Sequence, residues 1–389
     1  MHLAVSHVAD HAETLRAEAV PGDEQSVITK RTAEILAESG GMRLLLAEDL
    51  GGFEAHPNDF FEWTMTVGAN QPSAGWIAGV VGVHPWQVSI MDPRVQQEIY
   101  GDGRSGTWVA SPYAPLGRAT KVDGGFMFSG RWPYSTGTDF CDWIILGGIV
   151  VEDGEARTPP DMRHFVLPRA DYEIVPDTWN VSGLRGTGSK DVQVRDAFVP
   201  DYRVSEATRM YDGSYARERR PGQPLYQMMF GLMFPAAIAA GTLGIVRGAV
   251  TAYAEHIRGR VSVTGTVAKT DPFQADALAR AESDVDASIA HLKTSVAELY
   301  DYVSAGNRVT PEQRLVFRRD QVRGTNRAMA AVDELYRRAG SSSALADNPL
   351  NRYRRDMHVA GTHICNVADV VNQNYGAWRL TGELPKGIF

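Results

Sequence analysis

The spacing of apolar positions changes twice along the chain. From residue 24 to about 101 they recur at helical intervals, and Gly40-Gly41 marks a helix end. Short β-rich runs separated by turns then extend to about residue 204, and helical spacing returns from about 225 to 377. The pattern predicts an α+β chain with an N-terminal helical domain at 1–104, a central antiparallel β domain at 105–215 and a C-terminal four-helix-bundle domain at 216–389. The predicted strands lie in "GTWVASPY", "GGFMFSG", "CDWIILGGIVV", "RHFVLP" and "KDVQVRDAFVP".

This order of elements disfavours a doubly wound nucleotide-binding fold, in which strands and helices alternate throughout. The glycines of "GLRGTGSKD" lack the spacing of a phosphate-binding loop and precede a strand instead of a helix. We expect them to let the backbone approach a ligand or a neighbouring chain closely.

Composition narrows the classes of partner and the cellular compartment. Among 389 residues, 39 basic and 47 acidic side chains give a formal net charge of -8, which argues against nucleic acid as a partner. Cys141 and Cys365 are far apart and predict neither disulfides nor a zinc site. The N-terminus lacks a signal-peptide pattern, so we expect a cytoplasmic protein. Residues 228–246 could span a bilayer by length, but Pro235 and repeated Gly and Ala favour a core helix and no membrane association.

Three long motifs carry a family resemblance: "SGRWPYSTGTDFCDWIILGG", "WNVSGLRGTGSKDVQVRDAFVP" and "LNRYRRDMHVAGTH". Their order resembles the acyl-CoA dehydrogenase fold, and more narrowly its group D oxygenase branch, the two-component flavin-dependent monooxygenases. The stretches "VGVHPW", "YAPLG", "VDGG" and "RRDQVRGT" are similar to those of the secosteroid phenol hydroxylases in that branch. The resemblance covers nearly the whole chain.

The resemblance implies a reduced-flavin-dependent oxygenase that hydroxylates a small phenolic or polycyclic aromatic substrate ortho to its hydroxyl, through a flavin C4a-hydroperoxide. Reduced flavin, FMNH2 in preference to FADH2, would come from a separate NAD(P)H:flavin reductase, with O2 as co-substrate. A separate reductase is needed because no βαβ unit for a nicotinamide nucleotide is predicted. The family also implies a homotetramer.

Six residues are implied as flavin contacts. Ser135 and Thr136 would meet the polar edge of the flavin ring, while Trp132 and Tyr134 would flank the ring or the substrate pocket. Independently of the family, adjacent hydroxyls beside aromatic rings suit a flat heterocycle with a polar edge, although packing is an alternative. Arg260 and Ser341 would lie near the flavin phosphate or a neighbouring chain, and a surface role for Arg260 stays open.

Three residues are implied as catalytic. His84, in the apolar run "GVVGVHPWQV", would contact the substrate hydroxyl, with a satisfied core histidine as the alternative. Ser111 would share that hydroxyl or else cap a turn. His363 would lie near the reactive part of the flavin. With ordinary pKa values, complete proton transfer from a phenol to histidine is uphill by about 3.5 pKa units, or about 5 kcal/mol.

Competing functions differ in the residues they need. An acyl-CoA dehydrogenase would use a carboxylate base, but "AGSSSALADNPLNRYRRD" offers no glutamate. An N-oxygenase or a polyketide hydroxylase could share the scaffold. His358 and His363 lie five positions apart, off the spacing of a helical metal pair, so no metal site is expected. Arg355 and Asp356 are predicted to form a structural ion pair.

Overall fold

The computed structural model describes residues 2–261, 265 and 267–385. Proline at the first turn after a capping side chain starts several helices, as at Asp92-Pro93 and Thr310-Pro311. The helices are α1 (Leu3–Asp10), α2 (Ala12–Ala17), α3 (Ala19–Gln25), α4 (Lys30–Glu38), α5 (Pro57–Asn70), α6 (Pro72–Gly82), α7 (His84–Ser89), α8 (Pro93–Tyr100), α9 (Ala207–Tyr211), α10 (Ser214–Arg219), α11 (Pro224–Gln227), α12 (Phe230–Gly259), α13 (Pro272–Ser304), α14 (Pro311–Arg338), α15 (Pro349–Gly361) and α16 (Ala368–Thr381).

One sheet lies between the two helical parts of the chain. Its main path runs β7-β8-β3-β2-β4-β6-β9, and β1 and β5 both pair with β4. The strands are β1 (Val109–Ala110), β2 (Gly117–Val122), β3 (Gly125–Trp132), β4 (Trp143–Glu152), β5 (Glu155–Ala156), β6 (Met162–Pro168), β7 (Glu173–Val175), β8 (Asp191–Pro200) and β9 (Val204–Glu206).

The predicted α+β class is confirmed, and the sheet predicted to be antiparallel includes two parallel pairs. Most pairs are antiparallel, whereas β1 and β2 both pair with β4 in parallel. The chain can reach this arrangement because β3 and a turn separate β2 from β4, which gives the length that a parallel connection needs. The sheet is therefore mixed around its central strand, β4.

Helix α12 is the central element of the helical core. It packs against α5, α6, α14 and α15, and its own surface is mostly Ala, Gly and aliphatic residues. Among the described helices it alone is long and apolar enough to cross a membrane by length and composition, and 83% of its most apolar window is buried inside the protein. The burial explains the apolar run as core packing.

The change from helix to sheet falls between Tyr100 and Val109, and helix returns at Ala207. One continuous cluster of buried apolar side chains extends through all three parts. The division into three domains at 104/105 and 215/216 therefore stays a prediction. At the C-terminal end, α16 packs on α14 but has no buried side chain of its own.

Candidate active site

His84 and Ser111 meet where the first helical part contacts the sheet. His84 begins α7, and Ser111 follows β1 directly. The Ser111 hydroxyl lies 2.6 Å from His84 Nε2, while His84 Nδ1 bonds the carbonyl oxygen of Val109. Both side chains are buried, with His84 fully enclosed. Ser111 is therefore the less enclosed member of the pair.

The partners of His84 fix its tautomer. A carbonyl oxygen only accepts hydrogen bonds, so Nδ1 carries the proton and donates to Val109. The unprotonated Nε2 then accepts from the Ser111 hydroxyl. Burial lowers the pKa of His84 to about 4, and the bond to the Val109 carbonyl only partly opposes this. His84 is therefore neutral at physiological pH, with one nitrogen available as an acceptor.

A second buried polar chain lies beside this pair. Tyr113 donates its hydroxyl hydrogen bond to Gln87 Oε1, and Gln87 Nε2 lies 3.0 Å from His164 Nδ1. The Tyr113 ring also stands edge-on to His84 and Phe234, at centroid distances of 5.8 and 5.2 Å. The sequence alone did not identify Gln87, Tyr113 or His164. The available signal was His164 itself, a histidine in the predicted strand "RHFVLP", which becomes β6.

His363 lies in the turn that follows α15, next to aromatic side chains. Its ring centroid is 5.6 Å from that of Trp76 and 6.1 Å from that of Phe234. The Cys365 backbone N–H donates to His363 Nδ1 at 3.2 Å, so the neutral ring carries its proton on Nε2. Burial and the nearby charge of Arg318 lower the pKa of His363 to about 4. Phe234 thus contacts both Tyr113 and His363, which links the two predicted catalytic regions.

The turn predicted to meet the flavin is held by hydroxyl and backbone bonds. Ser135 N–H donates to Lys190 O at 3.0 Å, and its hydroxyl bonds that of Thr138. The Thr136 hydroxyl lies 2.9 Å from that of Ser189. Tyr134 has a positive φ of 65° and is 69% exposed. The turn therefore presents one exposed aromatic ring above a network of buried hydroxyls.

Trp132 lies within the sheet instead of beside this turn's surface. Its side chain is fully buried, and its indole N–H donates to Gly147 O at 2.8 Å and to Ala114 O at 3.1 Å. Its ring also packs at 5.3 Å from Phe128. These contacts give Trp132 a packing role, and a flavin contact by Trp132 stays a prediction.

Helix α6 brings the separate segments together. A Cβ added at Gly137 would lie 3.2 Å from Val81 and 3.3 Å from Ile77, so the turn after Thr136 packs on this helix. Trp76, on the same helix, contacts His363, and α7 with His84 follows after one residue. Gly137, His363 and His84 are therefore brought together around α6 and α7, which their order along the chain does not reveal.

The glycine-rich loop at 183–188 approaches the protein's own backbone. A Cβ on Gly183 would lie 2.3 Å from Arg355 O, so the loop fits directly on α15. Asp356 accepts a hydrogen bond from Leu184 N–H, whereas Arg355 lies 3.8 Å from Asp23. The predicted ion pair between Arg355 and Asp356 is therefore wrong: the Arg355 guanidinium donates to Ser182 O at 2.8 Å and pairs with Asp23, while Asp356 accepts from the backbone. Burial raises the pKa of Asp356 to about 7, assisted by the nearby Asp23.

Arg260 and Ser341 lie close to each other but form no described contact with the other predicted residues. The Arg260 guanidinium covers Gly340, where an added Cβ would lie 2.2 Å from Nη2, and the exposed Ser341 follows. Within the described ranges, no group of three or more His, Cys, Asp or Glu is arranged to hold a metal ion. Roles for Arg260 and Ser341 at a flavin stay predictions.

Comparisons with known proteins place the chain in a family. Residues 236–367 match the model of the acyl-CoA dehydrogenase C-terminal domain. The chain is 42% identical over 377 residues to a pigment production hydroxylase of Rhodococcus erythropolis, with 97% of this chain and 95% of the relative covered. It is 37% identical over 372 residues to the flavin-dependent monooxygenase oxygenase subunit HsaA of Rhodococcus jostii, with 95% of each covered. The crystal structure of the 3-HSA hydroxylase of Rhodococcus sp. RHA1 matches with a TM-score of 0.92 at 35% identity, covering 99% of this chain and 98% of that one.

The identity and coverage of these matches define the class. The chain belongs to the flavin-dependent monooxygenases, as an oxygenase component with the acyl-CoA dehydrogenase fold. The resemblance found in its motifs is thereby confirmed, and so is its assignment as an enzyme that depends on flavin.

Proposed function

We propose that this monooxygenase hydroxylates a phenolic, multi-ring substrate ortho to its hydroxyl group, with reduced flavin supplied by a separate NAD(P)H:flavin reductase. The observation that supports this most is the buried Ser111–His84 pair, with the Tyr113 ring edge-on to His84 and Phe234 in turn edge-on to Tyr113. An aromatic ring with one acidic hydroxyl complements such a site, because the apolar walls take the ring and Ser111 takes its O–H.

The Ser111 oxygen has lone pairs free to accept from a phenol while its own proton bonds His84 Nε2. A proton leaving the phenol can then pass to Ser111 as the Ser111 proton passes to His84. With a phenol pKa near 10 and a His84 pKa of about 4, complete transfer costs about 8 kcal/mol. The proton therefore leaves while the ring carbon attacks, and not in a separate earlier step, because the attack makes the phenol steadily more acidic.

The residues around the 135–137 turn fit a flavin ring. A flavin presents a broad apolar face and a polar edge, and the turn offers the exposed Tyr134 ring beside backbone groups and the hydroxyls of Ser135 and Thr136. Arg260 and Ser341 would hold a phosphate group, since a guanidinium matches phosphate in geometry and charge. When bound, reduced flavin supplies the electrons that activate O2. We expect FMNH2 to bind more tightly than FADH2, as the sequence resemblance implies.

We also propose a cytoplasmic homotetramer. Helix α16 leaves Val370 and Leu380 exposed, Leu380 at 88%, and Phe273 on α13 is exposed as well. Large exposed apolar side chains favour contact with another copy of the chain. A tetramer by light scattering, lost in Leu380→Glu, would support this assembly, whereas a monomeric wild-type protein would contradict it.

The decisive experiment is a product assay with a panel of substrates. The protein, chemically reduced FMN and O2 would be mixed with phenols of one to three rings, with an aromatic amine and with an acyl thioester. An ortho-hydroxylated phenol as the product, with little released hydrogen peroxide, supports the proposal. Oxidation at nitrogen would favour the N-oxygenase alternative, hydroxylation confined to polyketide-like rings would favour a polyketide hydroxylase, and oxidation of the thioester would favour a dehydrogenase.

A further inference from the structure

The turn that carries His363 is held by a buried arginine from another helix. Arg318, on α14, donates from Nη2 to the Cys365 carbonyl oxygen at 2.9 Å. The N–H of the same Cys365 donates to His363 Nδ1 at 3.2 Å. Arg318 and the imidazole are therefore connected through a single residue, and the position of that residue decides which ring nitrogen is protonated.

The following residue of the turn is fixed from two further directions. Asn326 Nδ2, also on α14, donates to Asn366 O at 3.1 Å. Asn366 Nδ2 in turn donates to Thr242 Oγ1 on α12 at 2.9 Å. The turn is thus anchored to the helices of the bundle and cannot rotate freely at the end of α15.

Arg318 is unusual because it is buried without a carboxylate partner. Its side chain is 7% exposed, and its hydrogen bonds go to the neutral Gln321 Oε1 and to the Cys365 carbonyl. No ion pair formed by the described residues includes Arg318, although buried cations in proteins are ordinarily paired. Gln321 is itself buried and bonds Leu232 O at 3.4 Å, so the whole group is fixed.

We propose that Arg318 is a positioning residue for His363: it fixes the imidazole as an Nε2–H donor, and its uncompensated charge keeps that ring neutral when an anion, the reduced flavin, binds beside it. The inference rests on the proposed place of His363 at the flavin. Reduced flavin is largely anionic near neutral pH, and an anion beside an imidazole favours the protonated ring. A fixed positive charge on the other side opposes that effect. Without it, the bound anion would act unopposed and favour the protonated ring, in which both nitrogens donate.

The test reads the ring directly by NMR of protein labelled with ¹⁵N-histidine, in which His363→Gln identifies the signal. We expect the wild-type protein to show the neutral Nε2–H form, both alone and with reduced FMN under anaerobic conditions. Arg318→Met should give mixed tautomers alone and a protonated ring with reduced FMN. Arg323→Met is the matched control, because Arg323 is exposed on the same helix, and it should behave as wild type. A wild-type tautomer and charge state in Arg318→Met would overturn the inference.

Two additional measurements separate the possible failures. Arg318→Lys keeps the positive charge but loses the planar guanidinium, so we expect a neutral His363 ring in mixed tautomers. A His363 ring in the wild-type tautomer would overturn the positioning role, even if Arg318→Met does not fold. Hydroxylated product formed per reduced flavin should fall by roughly 10-fold in Arg318→Met. If wild-type protein hydroxylates no phenol, the proposed function fails, while the NMR result still decides the role of Arg318.

Discussion

Replacing Ser111 by alanine tests the proton path most directly. The change removes the hydroxyl that bonds His84 Nε2 at 2.6 Å and, in the proposal, the substrate O–H. A buried imidazole nitrogen left without a partner costs about 1 to 3 kcal/mol of stability. Loss of a general acid–base contact costs about 100-fold or more in rate, so we expect single-turnover hydroxylation to slow by about 100-fold, or about 2.7 kcal/mol.

The size of the loss should depend on the acidity of the substrate. A phenol with a pKa near 7 is half ionised at neutral pH and needs little help, so the penalty of Ser111→Ala should shrink along a series of increasingly acidic phenols. His84→Gln can keep the hydrogen bonds to Ser111 and Val109 but cannot accept a proton, and we expect a similar loss. Because the two groups act in series, the double variant should be no slower than the slower single variant.

Ser39→Ala is the matched control for a buried hydroxyl. Ser39 Oγ donates to Leu36 O at 2.7 Å and accepts from the Trp63 indole N–H at 3.1 Å, outside the proposed site. Its loss should lower the midpoint of thermal unfolding without changing the hydroxylation rate. The reasoning is refuted if the Ser111→Ala penalty is the same for every phenol, or if the effects of Ser111→Ala and His84→Gln add.

Three other predictions concern the surroundings of the site. Asp356→Asn should flatten the pH dependence of stability. The folded protein retains the Asp356 proton up to pH about 7 but the unfolded chain only to 3.8, so the stability of the wild-type protein falls by about 1.4 kcal/mol per pH unit between these values. Equal slopes of stability against pH for variant and wild type in urea unfolding would contradict this. Trp132→Phe should cost about 1 to 3 kcal/mol of stability, because Gly147 O and Ala114 O lose their hydrogen-bond donor, and it should leave flavin affinity unchanged. Weaker flavin binding with unchanged stability would show that Trp132 contacts the flavin instead. Arg260→Ala should weaken binding of reduced FMN about 10-fold in anaerobic titration, whereas Arg258→Ala, which removes an exposed cation nearby, should not.

The sequence predicted the strands whose apolar residues stand out and missed those whose outer faces are polar. The runs that become β3, β4, β6 and β8 carry Val, Ile, Phe or Trp on their buried face. The strand β2 reads "GRATKV", with Arg118, Thr120 and Lys121 exposed, so little in its composition distinguishes it from a loop. Its place beside β4 also decides the parallel pairing, which no local pattern encodes.

In the candidate site, too, the sequence indicates which residue types are present but not how they are arranged in space. His84 and Ser111 were identified through the family motifs, but their contact across 27 positions follows from the packing of α7 on β1. Arg318 stands in the quoted motif "RRDQVRGT" on α14, a helix rich in charged residues, but it is not among the predicted site residues. A signal was present: the buried Leu315 and Val322 lie three residues before and four after Arg318, which places it on the inward face of the helix.

The two histidines of the site are both neutral, and their surroundings give them opposite roles. At His84 a carbonyl occupies Nδ1, so Nε2 is left as the acceptor on the side of Ser111. At His363 a backbone N–H occupies Nδ1, so Nε2 is left as the donor. Neither assignment depends on pH near neutrality, because burial, together with the charge of Arg318 at His363, keeps both pKa values at about 4. The proposed hydroxylation would need one group that accepts the substrate's proton and one that donates a hydrogen bond at the flavin, and these two tautomers would supply them. Main-chain contacts in two distant segments therefore decide that Nε2 accepts a hydrogen bond at His84 and donates one at His363.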